Sequence, residues 1–122
     1  MKKILISSVA LFCLSTLSIL ANKTSVEIKA PETAKAGTEV TITINVMHSG
    51  NSKTHHTDWV YLKINGKEVQ RWVYTKDALP LTENFTVEYK FVPTESFTIE
   101  AKGHCSIHGS ADEKSASVKV TA

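Results

Sequence analysis

From Glu39 to Val46 the sequence reads EVTITINV, and its apolar residues occupy every second position: Val40, Ile42, Ile44 and Val46 on one side, Thr41, Thr43 and Asn45 on the other. Successive side chains of an extended chain point to opposite faces, so this pattern buries one face of a strand and leaves the other wet. At the helical period the same residues would be scattered around the cylinder. The alternation recurs along the chain. WVYLKINGKEVQRWVY carries Val60, Leu62 and Ile64 up to Asn65-Gly66, a dipeptide that accepts the positive φ angles of a tight hairpin turn, and returns with Val69 and Val73. FTVEYKFV alternates Phe85, Val87, Tyr89 and Phe91, SFTIEAKGHC alternates Phe97, Ile99 and Ala101, and SASVKV carries Val118 and Val120. With SVEIKA at the start, this makes about seven strands separated by Pro, Gly and Asn, the number expected of an immunoglobulin-like β-sandwich. No segment carries a helical apolar stripe of useful length, and no repeat or linker divides the chain. The expected fold is all-β, with one modest core in one domain.

Ahead of the first strand, Lys2 and Lys3 precede an apolar stretch from Ile4 to Leu20, and Ala21 stands before the polar NKTS. That is the form of a secretory leader, so residues 1–21 are expected to be a signal peptide, leaving 22–122 as a periplasmic or otherwise exported domain. Its removal takes two of the 14 basic residues and leaves 12 against 12 acidic ones. Neutrality argues against nucleic acid or an anionic membrane as partner, since both demand an excess of Lys and Arg. Cys13 leaves with the leader, and Cys105 remains.

A lone cysteine cannot close an intramolecular disulfide, and a free exposed thiol is a liability in an oxidising compartment. Two readings account for it: burial as a small hydrophobe, or a thiolate held by a metal. Cys105 stands in GHCSIHG, three residues before His108. The five histidines fall in two places, His48, His55 and His56 around HSGNSKTHH, and His104 and His108 around the cysteine. If these strand ends meet, they form a mixed nitrogen and sulfur site, and imidazole with thiolate suits iron, copper or zinc rather than calcium or magnesium. Parity sets Cys105 in the inward row of Phe97, Ile99, Ala101 and Gly103, and His104 with the outward Thr98, Glu100 and Lys102. His104 is therefore not an expected ligand, unless a bulge at Gly103 resets the alternation. Spacing alone leaves open the choice between the adjacent His55 and His56.

Three stretches together, APETAKAGTEVTITINVMH, HHTDW and CSIHG, resemble the iron-binding domain of the superoxide reductases, the desulfoferrodoxin and neelaredoxin family, from about Val26 to Gly109. The most specific pieces are a histidine four residues before a tryptophan, here His55 before Trp59, and the C-x-x-H-G element of Cys105, His108 and Gly109. His48 matches the family's upstream histidine. The resemblance implies His55 rather than His56, and a mononuclear iron cycling between Fe2+ and Fe3+, bound by His48, His55 and His108 with Cys105 as axial thiolate. It further implies a position open to superoxide, which Cys105 would help to reduce to hydrogen peroxide by donating electron density to the iron. Backbone N–H groups of Ser106 and Ile107 would tune the sulfur. The family's Glu-Lys-His element near its N-terminus has no counterpart in NKTSVEIKA. A fourth imidazole would then come from His56 or His104, or water would complete the shell; a four-coordinate site would also suit zinc or copper.

Other readings are open to a sandwich of this size. A cupredoxin-like copper electron carrier also uses C-x-x-H with an upstream histidine, but GSADEK lacks the methionine that usually follows. IKAPETAKAGTEV and INGKEV also resemble a non-enzymatic sulfur-compound carrier subunit, for which the histidines would be idle. No phosphate-binding glycine loop and no G-x-S-x-G elbow is present. The lack of a C-x-x-C pair means that electrons would arrive from a separate donor protein. An exposed sheet edge leaves a homo-oligomer open.

Overall fold

The computed structural model describes residues 23–122, so the expected leader lies outside the described residues. Eight strands form: β1 (Ser25–Lys29), β2 (Thr33–Lys35), β3 (Val40–Met47), β4 (Thr57–Ile64), β5 (Lys67–Val73), β6 (Phe85–Phe91), β7 (Phe97–Cys105) and β8 (Lys114–Thr121). They make two sheets, one of three strands in the order β1-β3-β6 and one of five in the order β2-β8-β7-β4-β5. The all-β sandwich expected from the alternation is the fold observed. Among the described residues no helix is long and apolar enough to cross a membrane.

The inner faces follow the sequence pattern closely. Val40, Ile42, Ile44 and Val46 of β3 are buried, as are Phe97, Ile99, Ala101 and Cys105 of β7 and Val60 and Leu62 of β4, with Val26, Val87 and Val118 closing the core. Burial of each large aliphatic side chain contributes about 1.5–3 kcal/mol, which is the main force holding the two sheets together. The hairpin turns at Asn65 (φ 51°) and Gly66 (φ 80°), the pair of positive φ angles that a two-residue turn matched to strand twist requires.

Three details depart from the simple alternation. The eighth strand, β2, runs parallel to β8 with Ala34 opposite Val120; three residues are too few for an apolar period, so backbone pairing alone defines it. In the hairpin, the register shifts between Leu62 and Lys63, setting Val60 opposite Trp72 and Leu62 opposite Gln70. Trp72 and Val69 consequently pack against the core. Val73, expected to face inward with Val69, is 64% exposed. The third irregularity lies between Thr57 and Trp59 where β4 meets β7, so that Thr57 faces Cys105 and Trp59 faces His104. The bulge is thus on β4, and the inward row of β7 continues through Gly103 to Cys105 without a break.

Candidate metal centre

β3 ends at Met47, β4 begins at Thr57 and β7 ends at Cys105. These bounds put His48 just past one strand, His55 and His56 just before another, and Cys105 at the tip of a third. Both sheets contribute, since β3 lies in the three-stranded sheet and β4 and β7 in the five-stranded one.

The ligand atoms of His48, His55 and Cys105 all lie within 4.8 Å of one another. His108 joins them: its Nδ1 is 3.1 Å from His55 Nε2 and 3.8 Å from Cys105 Sγ. The His55 ring stands nearly perpendicular to those of His48 and His108, with centroids 4.8 and 4.9 Å away, so the nitrogens approach from different directions instead of stacking. The four side chains singled out in the sequence are therefore close neighbours in space.

Local structure holds each one. After β7 the chain doubles back: Cys105 N–H donates to the Gly109 carbonyl at 2.8 Å and Gly109 N–H returns to the Cys105 carbonyl at 3.0 Å. Gly109 sits at φ +77°, where a side chain would strain the backbone, which explains the glycine that ends C-x-x-H-G. The turn brings His108 N–H to within 3.4 Å of Cys105 Sγ, where it donates to the sulfur. Ser106 N–H instead donates to the His56 carbonyl at 2.9 Å; it was expected to tune the sulfur, and His108 fills that role. His55 is set by a reciprocal backbone pair with Ser52, at 2.7 and 3.3 Å. Burial, then the neighbouring His48, His108 and His56, hold its imidazole below the ordinary value, favouring the neutral form that can donate a lone pair.

The residues present fit a cation with nitrogen and sulfur preference. Cys105 is a free thiol with no exposed surface, and His48 is 4% exposed. Among the described residues, only His48 Nε2 and Ser110 Oγ are buried side-chain polar atoms without a hydrogen-bond partner. A buried unsatisfied nitrogen costs about 1–3 kcal/mol; His48 Nε2 belongs to the ring facing His55, and a bound cation would satisfy it. Beside His48 opens a cleft of about 250 Å³, whose wall includes Lys23, Glu83 and Asn84.

His56 and His104 do other work. His56 is buried, its Nδ1 is 3.0 Å from the Ser52 carbonyl, and its backbone N–H donates to Ser106 Oγ at 3.2 Å. It thereby ties the histidine loop to the cysteine loop. His104 points away from the cluster, with Nδ1 2.6 Å from Asp58 Oδ1 and its ring stacked on Trp59 at 4.9 Å. Two residues that shape the site went unnoticed in the sequence, Asn51 and Thr24. Asn51 Oδ1 lies 3.2 Å from His48 Nδ1. The backbone of Thr24 accepts the Ala111 N–H at 2.9 Å, just beyond the cysteine turn. Neither carries a pattern that marks it apart from an ordinary loop residue.

No curated protein matches the sequence significantly. Among solved structures, the superoxide reductase (neelaredoxin) from Ignicoccus hospitalis is 22% identical with a TM-score of 0.67, covering 81% of this chain and 83% of its own. A candidate superoxide reductase from Thermotoga maritima is 26% identical with a TM-score of 0.64, covering 80% of this chain and 86% of its own. The sulfur carrier protein SoxY from Chlorobium limicola f thiosulfatophilum shares the sandwich, with 15% identity, a TM-score of 0.57 and coverage of 94% of this chain and 100% of its own; that likeness is one of fold alone. The desulfoferrodoxin family model matches residues 18–114. Since that match takes in most of the sequence, including every strand-end histidine and Cys105, the chain belongs to the desulfoferrodoxin family.

Proposed function

We propose that this protein is an exported mononuclear iron protein of the superoxide reductase type, with His48, His55, His108 and Cys105 as the iron ligands. The observation that carries the reading is the convergence of His48, His55 and Cys105 ligand atoms within 4.8 Å of one another, together with the buried His48 Nε2 that has no partner. When bound, ferrous iron supplies the single electron that converts superoxide, with two protons, to hydrogen peroxide, and a separate donor protein restores the electron.

The chain's own part is to shape that chemistry. Cys105 supplies an anionic donor from a dry position, and the His108 N–H at 3.4 Å moderates its charge. The imidazoles supply neutral donors that leave the centre's net charge positive enough to attract an anion. Lys23, on the wall of the cleft beside His48, adds a cation on one approach to the site.

The test is anaerobic loading with ferrous iron, oxidation, and visible spectroscopy of the wild type and Cys105→Ser, followed by superoxide consumption with peroxide counted. The wild type is expected to bind one iron per chain, show a thiolate-to-iron band and yield one peroxide per superoxide consumed. An identical spectrum in Cys105→Ser would remove Cys105 from the ligand set. Recovery of the protein from its compartment with copper or zinc tightly held, and no superoxide chemistry with iron, would overturn the reading.

A further inference from the structure

Asn51 lies in the loop between His48 and His55, and its carboxamide is engaged on both sides. Oδ1 is 3.2 Å from His48 Nδ1 and accepts the Thr57 backbone N–H at 2.9 Å, while Nδ2 donates to the Thr82 carbonyl at 2.8 Å. The two backbone partners fix which end of the amide is which, because an N–H can only donate and a carbonyl can only accept. The atom facing His48 is therefore the oxygen. A carboxamide oxygen has no proton to give, so Nδ1 of His48 must carry a proton, and in the neutral ring Nε2 is then the nitrogen with the free lone pair. That Nε2 is the atom left buried without a partner.

We propose that Asn51 is the positioning residue of this centre: it selects the His48 tautomer that presents an unprotonated Nε2 to the Cys105–His55 cluster, and it fixes the rotation of the ring. The anchorage suits that role. Thr57 is paired directly with Cys105 across β4 and β7, so the hydrogen bond to Thr57 references His48 to the strand that carries the thiolate. Thr82 lies in the connection between β5 and β6, and Asn84 of that same connection accepts the His48 backbone N–H at 3.2 Å. One amide and one neighbouring side chain thus hold both the ring and the backbone of His48. Tautomer selection is a property of the protein without any metal; only the consequence for metal binding rests on the proposed function.

The experiment uses full-length protein with 15N-labelled histidine. In the metal-free state at alkaline pH, the ring nitrogens of His48 are expected to show one dominant tautomer, protonated at Nδ1. Asn51→Asp gives up the donor to the Thr82 carbonyl but keeps an oxygen acceptor for both His48 and Thr57, and should preserve that tautomer. Asn51→Leu removes the acceptor and should mix in the Nε2-protonated form. Cobalt(II) affinity, read by chelator competition and the thiolate absorption band, should fall about 10–100-fold in Asn51→Leu, the usual effect of losing an outer hydrogen bond to a ligand, and far less in Asn51→Asp. A wild-type His48 protonated at Nε2 overturns the proposal, as does an Asn51→Leu protein with wild-type tautomer and affinity. Should Asn51→Leu fail to fold, the wild-type spectrum and Asn51→Asp decide the matter. If wild-type protein shows the expected tautomer but takes up no cobalt, the metal-centre reading fails and the tautomer assignment stands.

Discussion

His55 and His56 are adjacent and both bond the Ser52 carbonyl, but their rings take different partners. His55 turns its Nε2 toward His108 at 3.1 Å, whereas His56 commits its Nδ1 to the Ser52 carbonyl at 3.0 Å and its backbone to Ser106. Substitution of the two should therefore separate metal binding from stability. His55→Ala is expected to weaken metal affinity by more than the ~10–100-fold that loss of an outer partner costs, with little effect on unfolding of the metal-free protein. His56→Ala should do the reverse, losing about 1–3 kcal/mol in urea unfolding through a broken buried hydrogen bond, while the thiolate absorption band on metal loading is kept. A His56→Ala protein that loses the band while His55→Ala retains it would exchange their roles. Sequence parity could not distinguish the pair, because both precede β4 and a loop has no fixed alternation. Local hydrogen bonding decides which ring is free to turn inward. The cysteine was easier to read: its place in the row Phe97, Ile99, Ala101, Gly103 foretold its burial, since β7 keeps its period to the last residue.

At the scale of strands, Gly103 shows what alternation conceals. A Cβ built there would lie 2.6 Å from Thr24 Cγ2 and 3.3 Å from Val26 Cγ1, so the segment leading into β1 crosses β7 at a distance only glycine allows. Thr24 is fully buried in that crossing and shares a hydroxyl hydrogen bond of 3.0 Å with Thr57. Gly103→Ala is expected to cost about 1–3 kcal/mol by overpacking. Thr24→Ser removes the offending methyl and keeps the hydroxyl, so the double variant should recover much of the loss, a coupling that urea unfolding of the four proteins in a cycle would measure. Simple additivity would mean that the strain lies elsewhere. In the sequence this glycine read only as a place where a bulge was permitted, and the bulge formed on β4 instead. The long strands were legible because a buried face imposes period two over seven to nine residues. β2 was not, being three residues at an edge, and Val73 was misplaced because a single register shift in β4–β5 inverts everything beyond it.

Across the whole molecule, the cluster of imidazoles and the thiol occupies one end of the sandwich, and a second set of titrating groups gathers where β4, β7 and the start of β8 meet. Tyr61 donates its hydroxyl to Glu113, and burial together with that bond pushes its pKa up to about 12. Glu113, hydrogen-bonded to Tyr61 and then to Glu100 and near Lys63 at 3.8 Å, is held below the ordinary carboxylate value, while its contact raises Glu100. The signs oppose. Stability from Glu113 is present above its unfolded pKa and fades as pH falls through the folded one, whereas that from Glu100 is present in acid and fades as pH rises through its raised value. Glu100→Gln makes the donor to Glu113 permanent, so its unfolding midpoint should exceed the wild type's near neutrality, and the gain should vanish in acid where Glu100 is already protonated. Metal offers an independent axis. A ligand that binds only the folded state adds about 2.7 kcal/mol at a hundred times its dissociation constant, so ferrous iron or cobalt should raise the wild-type midpoint by an amount that grows with free metal. Glu100→Gln should leave that increment unchanged, since Glu100 shares no partner with His48, His55 or Cys105, and Cys105→Ser should abolish most of it. A thermal scan of the three proteins with and without metal at neutral pH checks all of this at once. An increment that survives in Cys105→Ser would place the stabilising cation away from the strand ends that carry the thiol.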